Sequence, residues 1–140
     1  MNIVGAIKIG LGALVGYLLI RKLRATKEAC IVITSENGRY VSTTDPQKLP
    51  VRVLDSVLWH INEPEGGIGA EAVVELRFKN DDSPLFRKVP KDDKKPGKRK
   101  IRDTVRPGTK RPESYCYEVW YVLGTTEYRM EDPEIQVEMN

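Results

Sequence analysis

Residues 3–20, IVGAIKIGLGALVGYLLI, are apolar apart from Lys8, and this run limits what the chain can become more than any other feature. At 1.5 Å rise per residue, a helix of this length spans roughly 27 Å, close to the hydrocarbon thickness of a bilayer. A secretory signal peptide would need a shorter apolar core and a small-x-small cleavage site. Here Tyr17-Leu18-Leu19-Ile20 runs straight into Arg21-Lys22-Leu23-Arg24, a stop-like basic flank. A helix lying along the interface would need a strongly charged face, which the run lacks. The expectation is a single uncleaved transmembrane helix with its basic flank over residues 1–27, followed by one domain over 28–140. Arg21, Lys22, Arg24 and Lys27 all follow the apolar run. The positive-inside rule then directs the C-terminal domain to the cytoplasm, below an inner membrane if the source is bacterial, and leaves the N-terminus outside.

Gly12 and Gly16 form a G-x-x-x-G pair, and Ala6, Gly10 and Ala13 add further small side chains. Small residues let helix backbones approach closely, which suits a partner helix from another membrane subunit; glycine is also common in membrane helices that have none. Lys8 lies near the start of the run, where it can snorkel to the outer interface or meet an acidic group on a partner.

Past Lys27 the period changes from helical to alternating. Cys30-Ile31-Val32-Ile33-Thr34 reads as a strand, Asn37-Gly38 as a hairpin turn, and Tyr40-Val41-Ser42 as the returning strand. Pro46 and Pro50 punctuate a loop before a short strand over Val51-Arg52-Val53. Val57, Trp59 and Ile61 share one strand face, and Val74, Leu76 and Phe78 share another. Between them Glu63-Pro64-Glu65-Gly66-Gly67-Ile68-Gly69 has the composition of a mobile loop. Tyr115, Tyr117, Val119, Tyr121 and Leu123 form the longest alternating face; Glu127 to Met130 and Ile135 to Met139 follow as shorter strands. No helical period of useful length follows residue 30. About seven short strands with turn signals between them predict a mainly β, antiparallel sandwich.

The segments V-R-V-L-D-S-V-L-W-H-I (51–61) and Y-C-Y-E-V-W-Y-V through D-P-E-I-Q-V-E (115–138) resemble those of cupredoxin-like sandwich domains, and immunoglobulin-like sandwiches give much the same pattern. The resemblance implies a fold and, in its copper-binding members, an electron carrier. A blue-copper centre takes two His and one Cys, usually with an axial Met. This chain has one histidine, His60; no histidine follows Cys116, and Met130 cannot complete the set. No metal or other cofactor is therefore expected, and an electron carrier would have to be a degenerate one. His60 reads as a strand residue on a sheet face and Cys116 as a small buried side chain. Cys30 and Cys116 are too few for a disulfide framework, and two thiols in a reducing compartment are the simpler expectation.

Catalytic motifs are missing from the sequence: there is no G-x-S-x-G, H-E-x-x-H, Walker A or C-x-x-C. Gly66-Gly67-Ile68-Gly69 opens no helix, and the pairs Asp81-Asp82 and Asp92-Asp93 read as solvated turn residues. A non-enzymatic protein is expected. Residues 87–111 carry twelve basic and three acidic side chains, a local charge of +9, broken by Pro90, Pro96, Gly97, Pro107 and Gly108. This basic loop, with Lys94, Lys95, Lys98, Arg99, Lys100 and Arg102 at its centre, has three readings. It is a solvated loop, or it lies on anionic headgroups, or it docks an acidic partner. Nucleic acid is the least favoured partner, since few aromatics are near enough to stack bases. Taken together these features predict a membrane-anchored accessory or structural subunit held to lipid and to other membrane proteins. A structural protein of a lipid-containing virion has the same architecture.

Overall fold

The computed structural model describes residues 25–79, 84–107 and 114–138. The expected anchor lies outside these residues, with its small-residue positions and Arg21, Lys22 and Arg24. So do Asp81 and Asp82. Nine strands occupy the described part: β1 (Thr26–Glu36), β2 (Arg39–Asp45), β3 (Lys48–Val51), β4 (Ser56–Asn62), β5 (Val73–Phe78), β6 (Lys100–Thr104), β7 (Ser114–Leu123), β8 (Thr126–Glu131) and β9 (Glu134–Val137). They form a four-stranded sheet in the order β2-β1-β4-β6 and a five-stranded sheet in the order β3-β9-β7-β5, with β8 also paired to β7.

The mainly β expectation holds for the described residues, and the antiparallel one does not. β1 runs parallel to β4, and β3 runs parallel to β9, so both sheets are mixed. The reason lies in the chain path. β2 returns from the Asn37-Gly38 turn, whose residues take φ of 52° and 79°. It then passes through Asp45-Pro46 into β3, which belongs to the other sheet. β4 consequently re-enters the first sheet from the end at which β1 began. Alternation specifies which side chains face inward but carries no strand direction.

The strand without a counterpart in the sequence reading is β6, which forms inside the segment expected as a basic loop, and β3 is displaced from the expected 51–53 so that it includes Pro50, which reads as loop punctuation in the sequence. Proline fits there because β3 is an edge strand. Arg52–Asp55, half of it expected as strand, is instead a turn in which Asp55 accepts the Arg52 amide at 2.8 Å.

Between the sheets the alternating positions meet as the period demands. Ile31, Ile33, Val57, Trp59, Ile61 and Ile101 come from one side; Val74, Leu76, Tyr115, Tyr117, Val119, Tyr121 and Ile135 come from the other. The Trp59 indole donates to the Tyr117 hydroxyl at 3.2 Å, and both residues are fully buried. Phe86 and Phe78 pack around this pair, Phe86 edge-on to Trp59 and Phe78 stacked on Tyr117. Burial raises the Tyr117 phenol far above its ordinary value, and the indole hydrogen bond offsets only part of that.

The register gives the sandwich two distinct ends. β1 and β4 both start where Ala25 accepts the Ser56 amide at 2.9 Å, with the Arg52–Asp55 turn and Val105 beside them. At the other end lie the Asn37-Gly38 turn, the segment from Glu63 to Ala72, and residues 92–99. Six residue steps of β4 separate the ends, about 20 Å at ~3.3 Å per residue.

Candidate binding surface and its buried ion cluster

The segment expected as an irregular basic loop is largely ordered by a buried arginine. Lys91 pairs with Glu75 alongside β5, so the chain covers that edge of the second sheet. It then crosses to the first sheet, where residues 100–104 become β6 against β4. Arg99 sits at the crossing. It belongs to the expected surface-binding group, yet it is 2% exposed. Its guanidinium lies 3.2 Å from both Asp92 oxygens and its Nε lies 3.1 Å from Glu63 Oε1. It also donates to the Ala72 carbonyl at 2.6 Å and to the Gly69 carbonyl. Every arm of the fork is therefore spent inside the fold, and Arg99 is corrected from a binding residue to a structural one. Asp92, expected in a solvated turn, is likewise buried at 8% exposure.

The two carboxylates are satisfied from the backbone as well. Asp92 accepts the Val74 amide at 2.6 Å and the Lys94 amide at 2.5 Å. Glu63 accepts the Gly97 amide at 2.6 Å and the Ile68 amide at 3.2 Å. Burial alone would raise the Glu63 carboxyl, but the Gly97 and Ile68 amides and the Arg99 charge hold it below the ordinary carboxylate value. A buried charge is tolerated only when paired and hydrogen-bonded in this way. The cluster also fixes the segment from Glu63 to Gly69, which composition suggests is mobile. Ile68 is buried there, and the Tyr121 and Tyr40 hydroxyls donate to the carbonyls of Ile68 and Gly67.

Above the cluster is an open cleft of about 670 Å³, lined by Asn62, Pro64, Gly66, Gly67, Pro96 and Gly97 among others. Lys94, Lys95 and Lys98, close in the chain to the lining residues Pro96 and Gly97, are exposed, and so are Glu65 and Glu71, next to Pro64, Gly66 and Ala70. Lys100 and Arg102 are exposed on β6, in register with His60 and Leu58 of β4. The surface thus keeps basic side chains but is less one-sided than the charge of its own segment implies.

Several other polar groups are engaged in the fold or in surface pairs. Glu131 of β8 accepts from the Ser42 hydroxyl at 2.8 Å, from the Thr44 amide at 3.0 Å and from the Thr44 hydroxyl. The Tyr128 hydroxyl accepts the Tyr40 amide at 2.9 Å, so side chains of β8 cap the outer edge of β2. His60 pairs with Glu28 at 2.8 Å on the outer face of the first sheet, both half exposed to water. On the outer face of the second sheet Arg77 stacks over Trp120 at 4.0 Å and pairs with Glu75 and Glu127. Cys30 is half-buried and Cys116 exposed, and neither forms a disulfide. The buried Cys116 expected from sequence is corrected: Tyr115 and Tyr117 take the inward positions of β7, which turns Cys116 outward. Among the described residues no group of three or more His, Cys, Asp or Glu side chains could hold a metal ion.

The signal for the buried Arg99 is weak in the sequence. Six other basic residues lie within seven positions of it on either side, and nothing local distinguishes the one that turns inward. No protein-family model matches the chain, and no curated protein matches it.

Proposed function

We propose that this chain is a non-enzymatic, single-pass membrane-anchored accessory subunit, which holds a rigid β module at the cytoplasmic surface of a larger membrane assembly. The observation that carries the reading is the apolar run of residues 3–20, closed by Arg21, Lys22 and Arg24 immediately before the module begins. Two features of the module agree with it. Its buried Arg99 is locked in structural pairs with Glu63 and Asp92, which leaves the surface as the place of contact. Its exposed Lys94, Lys95, Lys98, Lys100 and Arg102 offer basic side chains to an acidic neighbour. Within the membrane, Ala6, Gly10, Gly12, Ala13 and Gly16 offer the small-residue face against which a partner helix packs.

Affinity purification of the full chain from membranes tests this. Neighbouring membrane subunits should co-purify in mild detergent, and Gly12→Ile with Gly16→Ile should release them. Recovery of the chain without companions, or companions that survive the double substitution, would overturn the packing role.

A further inference from the structure

We infer that the end of the sandwich where β1 begins is a second lipid contact, in which the turn carrying Leu54 seats on an anionic leaflet beside the anchor. The inference rests on the membrane-anchored reading and adds to it which surface meets the bilayer. Ala25, the first described residue, accepts the Ser56 amide, so the described chain begins at this end, separated in sequence by four residues from the apolar run 3–20. The Leu54 amide donates to the Val105 carbonyl at 2.9 Å, which brings the Arg52–Asp55 turn against residues 105–107. Lys94, Lys95 and Lys98 lie at the opposite end, about 20 Å away by strand rise, and charges in water are largely screened beyond ~8–10 Å. The attraction to headgroups that the sequence assigns to that lysine cluster therefore falls to other residues.

The near end has the chemistry for it. Arg52 and Arg106 are exposed, Lys27 is half-buried, and Glu138 is an exposed acid there, its amide donating to Val51. The Asp55 carboxylate is buried and accepts the Arg52 amide, so it is turned inward rather than toward the surface. Leu54 is 36% exposed and takes φ of +71°, a conformation that suits Gly or Asn and strains a side chain branched like leucine. A partly exposed apolar side chain on a strained turn near exposed arginines fits the headgroup boundary, where its methyl groups leave water and the guanidinium groups meet phosphates.

The full chain is reconstituted into phosphatidylcholine vesicles with or without phosphatidylserine, with a spin label at Leu54→Cys or Lys95→Cys in a Cys30→Ser, Cys116→Ser background. With phosphatidylserine, the label at 54 should lose access to a water-soluble nickel relaxant and gain access to oxygen, while the label at 95 stays in water. Arg52→Ser with Arg106→Ser should abolish that response. Hydrogen exchange on the unsubstituted chain gives the same reading without a label: residues 52–55 and 105–107 should be protected by phosphatidylserine and residues 93–98 should not. Labels at 54 and 95 equally open to water, or a label at 54 shielded from both relaxants as by protein, would overturn the inference while leaving the anchor intact. A chain that does not float with the vesicles at all would remove the anchor and this contact together.

Discussion

The Arg99 guanidinium lies 3.2 Å from both carboxylate oxygens of Asp92, seven residues earlier in the chain, and neither side chain reaches water. The contact closes the crossing between the two sheets. Removing one partner of such a pair strands the other charge in the interior, at a cost of about 3–5 kcal/mol. Arg99→Leu should therefore move the urea midpoint of the purified chain sharply downward. Lys95→Ala, at an exposed position four residues away, should stay within about 0.5 kcal/mol of the parent. Equal midpoints for the two variants would contradict the structural role of Arg99.

Acid should weaken the fold through the same cluster. Glu63 titrates below its ordinary 4.5, as do Glu118, held by the Trp120 indole and Arg129, and Glu134, held by the Ser114 hydroxyl and Lys48. A carboxyl lowered by folding adds stability above its unfolded value, and that stability is lost as pH falls through the lower folded value. Asp103 acts in the opposite sense: burial raises it, so its contribution is present at low pH and is lost as pH rises. With three groups against one, Tm should hold steady from neutral pH down to about 4.5 and fall below it. Glu63→Gln should lower the plateau and flatten the acid slope; an unchanged slope would exclude Glu63 as a source.

The outer edge of β2 depends on side chains rather than on another strand. Tyr128→Phe removes the acceptor of the Tyr40 amide and should cost about 1–2 kcal/mol, with faster hydrogen exchange at that amide. Glu131→Ala strips partners from Ser42, Thr44 and Gln47 together and should cost more. An uncapped edge pairs readily with other chains, so this variant should also aggregate on concentration in detergent. A Glu131→Ala chain as stable and monodisperse as the parent would show that the edge needs no cap.

The two thiols should behave independently. Cys116 is exposed on the outer face of the second sheet; Cys30, half-buried on the first, receives the Asn62 amide on its sulfur at 3.1 Å. A thiol reagent should modify Cys116 first in the folded chain, and mild oxidation should yield no intramolecular bridge. Simultaneous modification, or a Cys30–Cys116 disulfide in the folded chain, would contradict this placement.

Much of the fold was legible where one period decided the matter. The inward sets on β4, β5 and β7 follow from alternation, except that Leu123, expected on the inner face of β7, is exposed at the end of that strand, and Asn37-Gly38 marks its hairpin. Strand direction was not legible, because a residue facing inward does so in a parallel pair as in an antiparallel one. Nor was the fate of the basic segment. Its composition describes the solvated lysines correctly and misplaces Arg99 and Asp92, which are sorted from their neighbours by two distant partners, Glu63 and the Ala72 carbonyl. Non-local pairing of that kind leaves no periodic trace.

Membrane anchoring turns on residues 3–20 crossing a bilayer, and alkaline carbonate extraction followed by flotation addresses that directly. The full chain should remain with the floated membranes, and a chain lacking residues 3–20 should stay at the bottom of the gradient. Full-length protein released by carbonate, or a shortened chain that floats as well as the parent, would contradict the account.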